Sequence, residues 1–582
     1  MLKRLFAVLL LLALTLAAVS CSFGTKEVAG TTDPATTAAV TEPTDPLDVG
    51  DVLARLAKKK KVTIGREDFV FDLTREEVDR LLADFDELDR LLEDGTDYDA
   101  FEELYTRLRE DGIDRIRTQA ELAYVFWCCD LTDPLTEAAY LYLNELYTDL
   151  GARINRMFET LWNSPFSEAF YDGWTEEEID EVLRYAAGST EENTALTAKN
   201  AELVAAFRAL SDEDDGFYSE SARLFLEMAK NNNRIAELYG YENYMEYAYP
   251  DIYGRDYSPS DAATLRALFC EYLMPRLSEL AVKAFAGELS FASLEYADYL
   301  KFYNFLLGDV RNDYINVVGR YAASVGETAP DFLSTYRDFW DQKNYYYVEG
   351  NAYEGAFTTY CPDFDTPIIY FGPGYHAIDT FVHEFGHYYA ATKTEDGGDS
   401  IPYDLAETQS QGDEFLFTYW FANNEPGYAA IARAVAEYKT FDILSTILTA
   451  SLVNDFETYV YTHLDELTPE ELDGVLVSLC DAYGGYDTVK DALGYNPEIY
   501  WHYVVMEAPG YYISYAASAI PTLALYGKAN GEGFAKAVEA YEILVTADPE
   551  RGFLEVLNEA GIGSPFERET YTAIAAALTA EE

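Results

Sequence analysis

The sequence predicts a mainly α-helical protein with one small β element, and three observations carry that prediction. First, Ile378, Phe381, Val382, Phe385 and Tyr389 fall at steps of three, four, seven and eleven along a proline-free run from Tyr375 to about Thr392, the stripe of a buried helix. Second, segments 76–93 and 137–164 have the same period with acidic outer faces, as helical hairpins do. Third, residues 366–371, Thr-Pro-Ile-Ile-Tyr-Phe, read as a strand just ahead of the first helix. Pro367 assigns that strand to a sheet edge, and Gly-Pro-Gly at 372–374 ends it.

From the N-terminus, Lys3 and Arg4 precede an apolar run from Leu5 to Val19, too short to span a bilayer and of the length of a signal-peptide core. Residues 1–20 are therefore expected to be a signal peptide. The run ends in Ala18-Val19-Ser20-Cys21, which resembles a bacterial lipobox, with Ala18 standing where leucine is usual. The resemblance implies lipid attachment at Cys21 and an extracytoplasmic protein held at the surface of a bacterial membrane by that anchor alone. Ordinary secretion is the alternative. Residues 21–50, rich in Thr, Ala, Pro and Asp and without hydrophobic periodicity, read as a flexible tether. The body follows from 51 to 582, in a chain whose 49% hydrophobic content supports a large core. Its remaining apolar segments are interrupted by charges, so no second membrane segment is expected.

A formal charge of −63 at pH 7 excludes nucleic acid as a partner, because phosphates would be repelled. The same surplus suits basic peptides or, more simply, a solvated acidic surface. Five cysteines remain after Cys21, none at zinc-ligand spacing, and Cys128-Cys129 lie in an apolar helical stretch. No disulfide framework is implied, and these thiols are expected in the core.

Residues 383–387 read His-Glu-Phe-Gly-His. With so few histidines, about 0.04 pairs spaced by four are expected by chance, so the pair is informative. Four residues apart on a helix, His383 and His387 share a face and can offer ring nitrogens to one Zn²⁺. Glu384 then flanks the metal as general base. Gly386 inside the helix costs about 1 kcal/mol relative to Ala, which predicts close approach by another backbone. A catalytic zinc takes three protein ligands and keeps one position open. The run 404–415 places Glu407, Ser410, Gln411 and Glu414 on one helical face. Glu407 completes a His₂Glu site for one zinc per chain, and Glu414, two turns on, orients a ligand from behind. His376 lies about 10 Å along the axis from His383, too far to be a ligand but able to line a cleft. His463 has no assignable role.

His-Glu-Phe-Gly-His followed by Glu-x-x-Ser-Gln-x-x-Glu resembles the M3 family of zinc metallopeptidases, the thimet oligopeptidase and oligoendopeptidase F group. Pro509-Gly510-Tyr511-Tyr512-Ile513-Ser514-Tyr515-Ala516 resembles the family's tyrosine-rich C-terminal motif, and Leu238 to Tyr244 with Arg255-Asp256-Tyr257 is also similar to that group. These blocks place the zinc-binding core at about 240–520, within a peptidase domain of 51–582. The resemblance implies a two-lobed helical metallopeptidase with a deep central channel, the zinc helix at its floor and a small β element beside it. It implies short peptides as substrates and a monomer. It also implies that tyrosine hydroxyls face the zinc, Tyr515 and Tyr511 ahead of Tyr512, to stabilise the oxyanion. Two positions depart from the family: Met506 stands where a histidine follows Trp501 by five, with His502 as the nearby substitute, and Gln409 replaces a proline after the ligand glutamate.

Zinc at such a site supplies Lewis acidity that brings the pKa of water from about 15.7 to roughly 7, and Glu384 is the base placed to take the proton. The expected activity is zinc-dependent hydrolysis of internal bonds in short peptides. A carboxydipeptidase and a catalytically weak peptide-binding lipoprotein are the alternatives, and the intact Glu384 argues against the second.

Overall fold

Short polar caps set where two of the N-terminal helices begin. In the computed structural model, Thr74 and Glu77 form a reciprocal capping box that opens α1 (Arg75–Asp94), and left-handed Gly95 closes it. Asp133 caps α3 (Pro134–Trp162), whose first residue is the proline tolerated there, and α2 (Asp114–Cys129) packs along α3. The structure describes residues 69–579, except 209, 211–215, 287, 395, 399, 507, 549 and 550. The expected signal peptide, the tether, Cys21 and the start of the body at 51 lie outside the described residues.

The other helices that position the site are α4 (Phe217–Leu238), α5 (Ile378–Ala391), α6 (Tyr403–Asn424), α7 (Ala429–Thr462), α8 (Pro497–Val504), α9 (Ile513–Glu532) and α10 (Phe534–Thr546). Most of the remaining described chain is helical too. α6 lies against α5, α7, α9 and α10 at once, and nearly all its residues from Asp404 to Phe421 are buried. That explains why α6 shows little amphipathic pattern: a helix enclosed on every side has no solvent face to mark.

The β element has three strands, β1 (Tyr345–Tyr347), β2 (Ala356–Cys361) and β3 (Thr366–Phe371), in the order β1-β3-β2. β3 is therefore central, contrary to the edge position that Pro367 suggested. The reason is local: β1 pairs with β3 only from Ile369 to Phe371, so the flank beside Pro367 has no ladder for a missing N–H to break. On its other side Pro367 pairs with Tyr360 of antiparallel β2. Alternation along β3 sends Ile368 and Tyr370 into a small core with Leu122, Val125 and Cys128 of α2, and Ile369 and Phe371 into the main core with Phe381 of α5. The sheet is thus held between α2 and the helix that carries the histidines.

Cys128, Cys129, Cys361 and Cys480 are buried, Cys270 is half-buried, and none forms a disulfide. Among the described residues no helix is long and apolar enough to cross a membrane.

Candidate metal centre and active site

Helix α5 presents both histidines, and α6 brings the carboxylate. A Cβ on Gly386 would stand 2.7 Å from Ser410 Cα and 3.0 Å from the Gln409 carbonyl oxygen, so the two helix backbones touch there and only glycine fits. This contact carries Glu407, one turn before Ser410, to the histidines. His383, His387 and Glu407 offer ligand atoms that all lie within 4.8 Å of one another. His383 Nε2 is 3.8 Å from Glu407 Oε2, beyond hydrogen-bond length but within what two metal bonds of about 2.0–2.1 Å can bridge. Both histidines keep partial exposure while Glu384 and Glu407 are buried. Two imidazoles and a carboxylate converging on one point fit zinc.

Protonation in the metal-free chain reflects this crowding. Burial pushes His387 down to about 3, helped by the charge of His383, so its ring is neutral and has a lone pair to give. Burial opposes the charged form of His383 too, but the hydrogen bond and charge of Glu414, with Glu407 and Glu384 nearby, raise it to about 9. Burial raises Glu407. Burial also raises Glu384, to about 7, against the lowering effects of His383 and of the Thr358 hydroxyl. That hydroxyl, on β2, donates to Glu384 Oε2 at 2.8 Å and to its carbonyl oxygen at 3.0 Å. A carboxylate near its midpoint at neutral pH is suited to taking a proton and returning it.

Behind the candidate ligands runs a largely buried chain of charge. His383 Nδ1 meets Glu414 Oε1 at 2.6 Å, Glu414 Oε2 accepts from Lys439 Nζ, and Lys439 Nζ also donates to Asp379 Oδ2 at 2.8 Å. Lys439 lowers Glu414 despite burial, keeping it an acceptor and fixing the Nδ1–H tautomer that leaves Nε2 for a metal. Sequence reasoning named Glu414 but missed Lys439, Asp379 and Thr358. Asp379 could have been found, since it lies one turn before His383 on the same helix.

The tyrosine block is fixed by Arg255. Its fully buried guanidinium donates to the carbonyl oxygens of Gly510 at 2.9 Å and Tyr511 at 3.1 Å and to Ser514 Oγ at 2.8 Å, and pairs with Asp404 Oδ1 of α6 at 3.4 Å. Tyr257 donates to the other oxygen of Asp404 at 2.6 Å. The Arg255-Asp256-Tyr257 block thereby has a role that its sequence did not disclose: it locks α6 to the tyrosines. Gly510 turns the chain at φ +76°, with its N–H donated to Glu457 Oε1 at 2.7 Å. Tyr511 donates to Glu407 Oε1, Tyr512 OH lies 2.6 Å from Tyr500 OH, and partly exposed Tyr515 stands between the two rings at 5.3 and 5.5 Å.

The other histidines are elsewhere. His376 is buried against Tyr347, with Nδ1 3.2 Å from Glu349 and Nε2 3.3 Å from the Phe371 carbonyl oxygen. His463 is half-buried and stacks on Tyr459. His502 does not substitute for the family histidine. Its Nδ1 is 2.6 Å from Ser221 Oγ of α4, its Nε2 3.0 Å from Asp473 Oδ1, and its ring stacks on Trp501, so both nitrogens are engaged in packing. Met506 is buried core. Gln409 uses its amide to donate to the Leu544 carbonyl oxygen of α10 at 2.8 Å, a bond proline could not make.

The profile of the peptidase M3 N-terminal domain matches residues 70–182, the stretch from before α1 to beyond α3. No curated protein matches the sequence. Among solved structures, PZ peptidase A in complex with an inhibitor shares 16% identity over 86% of this chain and 97% of its own, with a TM-score of 0.65. A Bacillus anthracis protein named as an oligoendopeptidase F shares 17% over 89% and 98%, TM-score 0.64. Oligoendopeptidase F of Enterococcus faecium shares 15% over 88% and 98%, TM-score 0.52. At such identity the likeness is one of fold, a mostly helical body with a small three-stranded sheet.

Proposed function

We propose that this chain, an M3-family peptidase by its N-terminal domain and its fold, is a zinc-dependent oligoendopeptidase that hydrolyses internal bonds of short peptides. The observation that carries the reading is the convergence of His383, His387 and Glu407 within 4.8 Å, with the Glu384 carboxylate rooted between the histidines. Zinc held by those three residues supplies Lewis acidity toward water and the peptide carbonyl.

The protein's own residues do the rest. Glu384, buried and steadied by Thr358, accepts the proton of the attacking water and hands it to the leaving amine. Glu414, charged through Lys439, holds the His383 ring in orientation. Tyr511 secures Glu407, and Tyr515 donates to the developing oxyanion, a contribution of about 2.7–4 kcal/mol for a preset donor. Family resemblance favoured Tyr515 and Tyr511 together. The Tyr511 bond to Glu407 supports separating their tasks.

The test is mass spectrometry of a mixed library of short peptides incubated with the purified protein, with and without chelator. Chelator-sensitive internal cuts are expected. Removal of C-terminal dipeptides would transfer the assignment to a carboxydipeptidase, and retention of uncut peptides by zinc-loaded protein would make it a binder.

The same reading sets a monomer at the outer face of a bacterial membrane, anchored through Cys21. The sequence features in support are the apolar run and Ala18-Val19-Ser20-Cys21. Mass spectrometry of the mature N-terminus decides: a diacylated Cys21 supports the anchor, and an unmodified N-terminus nearby supports secretion.

A further inference from the structure

We propose that Asp442 is a specificity residue that binds a cationic group of the peptide beside the scissile bond. The inference rests on the peptidase reading above.

A ring of contacts runs around the candidate site. From Glu407 it passes to Tyr511 by hydrogen bond, through the ring contacts of Tyr511, Tyr515 and Tyr512, and to Tyr500 by hydrogen bond at 2.6 Å. Tyr500 packs on Tyr495 at 5.9 Å, and Tyr495 OH lies 3.2 Å from Thr449 Oγ1 of α7. From Thr449 the ring descends α7 to Lys439, which bonds Glu414, which bonds His383. Lys439, Asp442, Thr446 and Thr449 follow at helical spacing on one face of α7. Asp442 therefore stands in the span that joins the metal side to the tyrosine side.

Every other acidic group in this neighbourhood is committed. Glu414 and Asp379 hold Lys439, Glu407 faces the histidines and Tyr511, and Glu384 accepts from Thr358. Asp442 alone among them is partly exposed without a hydrogen bond or ion pair from a described residue. It feels only burial and the charges of Lys439, Asp379 and Glu414. Tyr500 feels its charge in turn. Lys439 does not neutralise it, because that ammonium already serves two carboxylates. Five carboxylates against one lysine leave the site negative even with a divalent ion bound, so a substrate cation is attracted and an anion rejected. Tyr495 and Tyr500 add ring faces that favour ammonium or guanidinium groups.

The cation is a lysine or arginine side chain or the free N-terminal amine, and the test separates them. Zinc-loaded Glu384→Gln protein is titrated calorimetrically with peptide sets differing only in lysine against norleucine at successive positions, and in free against acetylated N-termini. The same pairs are assayed for kcat/KM with the unsubstituted enzyme. We expect one cation to improve binding and kcat/KM by about tenfold, the scale of a charge-assisted hydrogen bond. Asp442→Asn should collapse the ratio, and Asp442→Lys should invert it toward glutamate peptides. A preference for lysine supports a side-chain subsite, and sensitivity to acetylation supports amine recognition. Equal binding of charged and neutral peptides, or a preference that survives Asp442→Asn, overturns the proposal. Because binding to the Glu384→Gln protein needs no turnover, a preference there that Asp442→Asn abolishes, without cleavage by the parent enzyme, would sink the peptidase reading and overturn the link to a scissile bond, leaving Asp442 only as a cation-binding residue.

Discussion

Glu384 and Glu407 are separable by what each loses. In the proposed site, Glu384→Gln keeps the ligand set and removes the base, so zinc content measured by mass spectrometry should hold while hydrolysis disappears. Glu407→Ala should lose both, and full activity with retained zinc in that variant would remove Glu407 from the site. The raised pKa of His383, about 9, makes a second prediction: its imidazole is charged at pH 7.5 without metal, so zinc must displace a proton. Calorimetry in two buffers of different ionisation enthalpy should show at least one proton released per zinc bound. The motif residues were legible because chemistry demands their types at fixed helical spacing. Lys439 and Thr358 were not, since Lys439 reaches Asp379 across 60 residues and Thr358 reaches Glu384 across 26, and tertiary approach alone makes those pairs.

Among elements, the crossing of α5 and α6 is the most exacting. Alanine at 386 would gain about 1 kcal/mol of helix propensity. Its Cβ would also meet backbone at 2.7 Å, which cannot move like a side-chain tip, and overpacking of that kind costs about 1–3 kcal/mol. Gly386→Ala should therefore lower the melting temperature and weaken zinc binding together, checked by calorimetry and metal titration; an unchanged zinc affinity would show that the crossing does not set the ligand spacing. The helices α1 and α3 were legible to within a few residues at each end, since each buries one face and exposes an acidic one. The rank of β3 within its sheet was misjudged, because a proline constrains only the flank it occupies and the sequence does not tell how far a neighbouring strand extends.

At the scale of the molecule, acidic surplus and buried carboxyls act together. Asp413 and Glu457 are each pushed up to about 8, first by burial. Unfolded, such groups titrate near 3.9 and 4.3, so between roughly pH 4 and 8 the folded state holds the extra protons and stability falls as pH rises. Mutual repulsion from a charge of −63 works in the same direction. The melting temperature should drop from pH 5.5 to 8, recover in part with salt, and depend less on pH in Asp413→Asn. Arg255→Met should cost more, about 3–5 kcal/mol, because it strands Asp404 without its cation, and a urea titration should reveal it. The clamp that Arg255 forms also orders events in time. It spans 149 residues to Asp404 and 259 to Ser514, and Tyr511 lies 104 residues beyond Glu407. At about 5–20 residues per second, a ribosome needs roughly 5–20 s to cross that last interval. During it the growing chain has His383, His387 and Glu407 but neither Tyr511 nor the helices α9 and α10 that cover α6, so the packing that holds Glu407 against α5 is completed only when the C-terminal helices arrive.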